Sequence, residues 1–126
     1  MSATMQGIPV PYDTPGLLVH GAGPAAQDMF AGLLRSATNA TAAVPSGTVV
    51  EIVIQGPGVA LLVAGSALTA AIAEVIKCGV RVLACENSMH SAGLELHQLL
   101  PGISSVPAAI AHLAQRQWEG WAYVRL

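Results

Sequence analysis

The sequence predicts an α/β protein: a three-layer sandwich in which a mainly parallel five-stranded sheet carries helices on both faces. Two observations lead there. Short runs rich in β-branched residues alternate with stretches of helical periodicity. The segments joining successive runs hold helices of about ten residues or more, the length that parallel crossovers need and hairpins do not.

Leu17-Leu18-Val19-His20 reads as a short buried strand, stopped by Gly21-Ala22-Gly23. Pro24 suits the first turn of a helix, in which Phe30, Leu33, Leu34 and Ala37 repeat at i, i+3, i+4 and i+7. Residues 39–47, with Pro45-Ser46-Gly47, read as a loop. Thr48 to Ile54 is the strongest strand, dominated by β-branched residues. A Gly56-Pro57-Gly58 turn and a short apolar segment follow, and Ser66 is a candidate N-cap for the next helix. That helix presents Leu68, Ala71, Ile72, Val75 and Ile76 on one face, and Gly79 is its natural stop. Val80 to Cys85 makes a third strand, with Asn87 and Ser88 as N-cap candidates for a short helix after it. Ile103 to Val106 supplies a fourth strand. Pro107 opens a last helix with Ile110, Leu113, Ala114 and Trp118 facing inward, Gly120 closes it, and Trp121 to Arg125 is the fifth strand.

No repeat, linker or low-complexity tract divides the 126 residues, so one domain is expected over 1–126, with 1–13 an irregular N-terminal segment. Charged residues make up only 10% against 53% hydrophobic, where about 25% charged is usual. So little charge covers a free monomer's surface poorly, which predicts burial against copies of the same chain. The alternative is a monomer whose many Ala and Gly inflate the hydrophobic count. The five Lys and Arg are scattered and the net charge is −2, so no stripe exists to neutralise nucleic-acid phosphates. The stretch from Ile52 to Ala73 is uncharged, but Gly56-Pro57-Gly58 and Gly65-Ser66 cut it into pieces too short to span a membrane. The N-terminal residues lack the basic and apolar regions of a secretory signal, and two cysteines make no disulfide framework. A cytoplasmic protein with reduced thiols is the expectation.

In sheets of this kind ligands bind beyond the carboxyl ends of the strands. Cys85 stands at that end of the third strand, just before a helix N-terminus whose free amides favour a thiolate. A thiolate is the form that attacks sulfur in persulfide or disulfide exchange. Glu86 opposes ionisation if its carboxylate points at the sulfur. Location alone leaves two readings of Cys85 open: a reactive thiolate, or a small buried hydrophobe. Cys78 ends a helix ahead of Gly79 and is expected in the core or half-buried. His90, within a turn of Cys85, is placed to carry a proton or to pair with the thiolate, and a solvated surface histidine is the competing reading. His20 ends the first strand on the ligand side and is placed to line the same cleft. His97 and His112 read as helix-surface residues. No CxxC or HExxH occurs, and Gly21-Ala22-Gly23 lacks the rest of a dinucleotide loop, so neither metal nor nucleotide cofactor is expected.

Val50 to Val59, Gly79 to Met89 with its Cys85-Glu86-Asn87-Ser88-Met89 block, Leu99-Leu100-Pro101-Gly102, and Gln117 to Val124 with Gly120 and Tyr123 together resemble the DsrE/DsrF-like sulfur-relay family. The resemblance covers residues 48–125, and the first third only by arrangement. It implies a compact α/β subunit packed into trimers or hexamers. It also implies that Cys85 accepts sulfane sulfur as a persulfide and passes it on, with the amides of Asn87 and Ser88 steadying an anion. Sulfur donor and acceptor proteins are then its partners. Two other readings stand beside the carrier. One is a non-enzymatic oligomeric module whose inter-subunit clefts hold a small ligand against Cys85. The other is a redox sensor that forms a sulfenate on Cys85.

Overall fold

The computed structural model describes residues 15–126, so the irregular segment expected over 1–13 lies outside the described residues. Five strands form one sheet in the order β4-β3-β2-β1-β5. They are β1 (Gly16–Gly21), β2 (Val49–Ile54), β3 (Arg81–Cys85), β4 (Ser104–Val106) and β5 (Ala122–Arg125). Every pairing is parallel, so "mainly parallel" becomes wholly parallel. The connecting helices are α1 (Gln27–Ala43), α2 (Thr69–Lys77), α3 (Glu86–Ser91) and α4 (Ala109–Trp118).

The two faces of the sheet are covered differently. On one, Val19, Val50, Ile52, Ile54, Val82 and Ala84 alternate inward along three strands and pack against α1 and α2. On the other, Leu18, Val53, Leu83 and Cys85 pack against Ala109 and Leu113 of α4 and the ring of Trp121. A parallel sheet must be covered on both faces, and a single long helix does most of that work on the second.

Four local expectations are corrected. First, α1 begins at Gln27 rather than Pro24 and runs on to Ala43, through residues read as loop. The hydroxyls of Thr38 and Thr41 bond back to the Leu34 and Thr38 carbonyls (3.1 and 2.6 Å), and Ala40, Ala42 and Ala43 are helix formers, so the polar run does not break the helix. Second, the Gly56-Pro57-Gly58 turn opens a 3₁₀ segment, Gly56–Leu62, whose Val59, Leu61 and Leu62 are buried. Third, Ser66 does not cap α2 directly. Leu68 is the N-cap, and Ser66 Oγ, two residues before it, accepts from the Leu68 amide while donating to the Leu61 carbonyl.

The fourth correction matters most for the site. Ile110 and Trp118 of α4 are 61% and 82% exposed, not inward. The buried stripe is Ala109 and Leu113, with His112 and Arg116 beside them at the spacing i, i+3, i+4, i+7. Two polar residues occupy the inner face because a buried carboxylate on β2 waits for them.

Candidate functional site

Cys85 is the last residue of β3 and the N-cap of α3, with extended dihedrals of φ −75° and ψ 118°. Asn87 and Ser88, expected as caps, instead occupy the first turn of α3, so their amides point back toward Cys85. The residue is 3% exposed. It reaches solvent through a cleft of about 570 Å³ built from three segments: Gln55 to Pro57 after β2, Asn87, Ser88, Ser91 and Ala92 along α3 and its C-terminal end, and Ala108 to Ile110 at the start of α4. Among the described residues no Asp, Glu, Lys or Arg side chain lines it.

The Ala109 amide donates to Cys85 Sγ at 3.4 Å. Burial opposes ionisation of the thiol. The Ser88 hydroxyl and the amides of Ala109, Ser88 and Asn87 outweigh that, so the thiol titrates below its ordinary value. Ser88 is itself held in place: its Oγ accepts from the Gly56 amide at 2.8 Å, which leaves its proton free to face the sulfur. Gly56 adopts φ +77°, a conformation that favours glycine, and this is what turns its N–H from the end of β2 toward α3. Glu86, the expected opponent of ionisation, is directed elsewhere. Its Oε2 accepts from Ser105 Oγ on β4 at 2.7 Å, and it lines a different hollow.

Of the other residues singled out in the sequence, Asn87 and Ser88 line the Cys85 cleft. His90 does not: it lines the separate hollow, of about 230 Å³, with Glu86, Met89 and Leu94. His20 is not on the cleft wall either. It is buried, with Nδ1 2.7 Å from the Tyr123 hydroxyl and Nε2 2.9 Å from Oε1 of Gln55, which does line the cleft. Cys78 is the C-cap of α2 and exposed, correcting the expectation of a core or half-buried thiol. His97 is exposed on a 3₁₀ turn, as expected. His112 is not a surface residue.

His112 Nε2 lies 2.7 Å from Oε1 of Glu51, which is 1% exposed in the middle of β2. Arg116 reaches Oε2 of the same carboxylate at 3.0 Å and Arg81 reaches it at 3.3 Å. Burial would raise the Glu51 carboxyl, but hydrogen bonds from His112 and Arg116 hold it below its ordinary value. The Arg116 guanidinium also stacks 4.5 Å from the Trp121 ring. This cluster bolts α4 to the sheet, and the first turn of α4 is what carries the Ala109 amide to Cys85. Sequence reading missed it, along with Gln55 and Ala109. The available signal was Glu51 itself, a lone carboxylate in an otherwise apolar strand, which must find partners if that strand is central.

Among the described residues no three His, Cys, Asp or Glu side chains cluster as a metal ion would need, and no helix is long and apolar enough to cross a membrane. Residues 18–126 match the sequence profile of the DsrE/DsrF-like family. Among solved structures the chain is similar to a protein of unknown function from Methanobacterium thermoautotrophicum (29% identity, TM-score 0.81, covering 88% of this chain and 99% of that one). It also shares its fold with the ychN protein of E. coli (15%, 0.72, 88% and 98%). A conserved protein of unknown function from Bacteroides thetaiotaomicron has the same fold (18%, 0.65, 86% and 94%). No curated protein matches the chain.

Proposed function

The chain belongs to the DsrE/DsrF-like family, and from that premise we propose that it is a sulfur carrier in which Cys85 holds sulfane sulfur as a persulfide. The observation that carries this reading is the sulfur of Cys85 in the wall of the cleft of about 570 Å³, with donors around it that favour the thiolate. The thiolate attacks the outer sulfur of a donor persulfide. The new Cys85 S–S bond forms as the donor's S–S bond breaks, and the donor leaves as its own thiolate. Delivery to an acceptor thiolate is the same exchange in reverse, so no external oxidant is needed. Asn87 and Ser88 supply donors to the sulfur anion in both forms, and the cleft shields it from bulk water. Such chemistry belongs in a reducing compartment, the cytoplasm, with donor and acceptor proteins docking at the cleft mouth.

Exposed Ile110 and Trp118 on α4 and Tyr123 and Val124 on edge strand β5 support self-association into trimers or hexamers. A second reading keeps the cleft and drops the transfer: a cleft of this volume suits a small ligand, with Cys85 as a wall residue. The two part under one experiment. Wild type, Cys85→Ser and Cys78→Ser are incubated with a sulfane-sulfur donor, and intact and peptide masses are measured. One added sulfur on Cys85 alone is expected of the carrier. No adduct with any donor, from protein of unchanged oligomeric state, sinks it in favour of the binding module.

A further inference from the structure

Gln55 is the residue of the cleft whose orientation is decided from outside it. Its Oε1 accepts at 2.9 Å from Nε2 of His20, a ring only 4% exposed. A carboxamide oxygen can only accept, so Nε2 carries the proton. In the neutral ring Nδ1 is then an acceptor, and the Tyr123 hydroxyl, 2.7 Å away, donates to it. The chain of commitments runs from the surface of β5, where Tyr123 is 39% exposed, through the buried imidazole to Gln55. With the oxygen end of the carboxamide taken, its nitrogen end, which has no protein partner among the described residues, is the end left to the cleft that Gln55 lines.

We propose that Gln55 is a specificity residue of the Cys85 cleft, donating its free amide hydrogens to the anionic, acceptor-only end of a ligand, and that His20 and Tyr123 are positioning residues that fix this polarity. Among the described residues no cationic side chain lines the cleft to outweigh this neutral donor, and the Cys85 thiolate acts alike in wild type and variants. Were Gln55 free to rotate, it would present a carbonyl oxygen as readily and select nothing. The inference extends the sulfur-carrier site, but its test does not depend on sulfur transfer.

The test uses two alkylating probes that differ in one group, iodoacetate and iodoacetamide, on protein carrying Cys78→Ser to remove the exposed thiol. The same thiolate displaces iodide from both, so the ratio of their rates cancels any change in thiol ionisation and reports how the cleft treats a carboxylate against its neutral amide. Gln55→Met is expected to lower the iodoacetate-to-iodoacetamide ratio about fivefold, the typical worth of one hydrogen bond. His20→Phe and Tyr123→Phe, neither of which touches the cleft, are expected to lower it in the same direction by less. Tyr123→Phe removes one oxygen from a half-exposed ring, so it serves even if His20→Phe fails to fold. In wild-type protein, nitrogen-15 NMR of His20 is expected to show a proton on Nε2, the nitrogen that faces Gln55 Oε1. An unchanged ratio in Gln55→Met, a His20 ring protonated on Nδ1 alone, or a Cys85 that neither probe reaches would each overturn the inference. Failure of persulfide loading with the ratio still falling would sink the carrier and leave this assignment standing.

Discussion

The two faces of the sheet solve the same burial problem by different means. On the α1/α2 face the contact is apolar throughout, with Ile52, Ile54, Leu62 and Ile72 almost fully buried and no charge among them. On the α4 face a smaller apolar cluster surrounds Cys85, and Glu51, His112 and Arg116 complete the layer with ionic and hydrogen-bonded contacts. The apolar face tolerates any packing that fills its volume. The polar face fixes one angular setting of α4, since a buried carboxylate is stable only when its partners arrive at hydrogen-bond distance. The proposed chemistry lies on the fixed face. A thiolate steadied by an amide of the opposing helix needs that helix in one place, and Glu51 provides the registration.

The comparison can be broken on either side. The largest loss is expected from Ile52→Ala, which empties volume in the all-apolar layer. It should cost about 4 kcal/mol in denaturant unfolding while leaving the pH dependence of Cys85 alkylation unmoved. Glu51→Ala should cost about 3 kcal/mol, because it strands His112 and Arg116 against the sheet, and it should also slow Cys85 alkylation by loosening the Ala109 contact. Retained alkylation in Glu51→Ala would show that the polar face is only structural.

Acid sharpens the same contrast. The Glu51 carboxyl is held below its ordinary value in the folded chain, so its stabilising contribution is fully present above the ordinary carboxyl value and is lost as pH falls through the lowered one. The gap in unfolding free energy between wild type and Glu51→Gln should therefore hold at neutral pH and close toward acid. A gap independent of pH would contradict the ionised assignment.

Within the site, Ser88→Ala should raise the pH midpoint of Cys85 alkylation, which in wild type lies below that of an ordinary thiol, and slow the reaction several-fold near neutrality. An unmoved midpoint would remove Ser88 from the set of donors. The smallest change in stability belongs to Trp118→Ser, within about 0.5 kcal/mol for so exposed a side chain. Light scattering should nonetheless show weaker self-association, and an unaltered assembly would place the interface elsewhere.

Strand runs such as Thr48 to Ile54 were legible because β-branched residues dominate them, and α1 because its apolar stripe keeps helical period. The same logic misplaced α4. Counting hydrophobic residues put Ile110 and Trp118 inward, whereas the helix turns His112 and Arg116 in to meet Glu51. That partner lies 61 residues away from His112 along the chain, and no local pattern reports it. Cys85 was legible from its place at a strand end. Gln55 was not, since its role depends on His20 and Tyr123, the latter 103 residues from His20.

The sequence by itself determined the α/β class, the succession of five strands and the position of Cys85, because alternation of short β-branched runs with helices is a local property. Only the tertiary structure decided which face of α4 is buried, which way Glu86 points, and which donors surround the sulfur. Those follow from where one buried carboxylate and one buried imidazole find their partners, and such partners are chosen in space rather than along the chain.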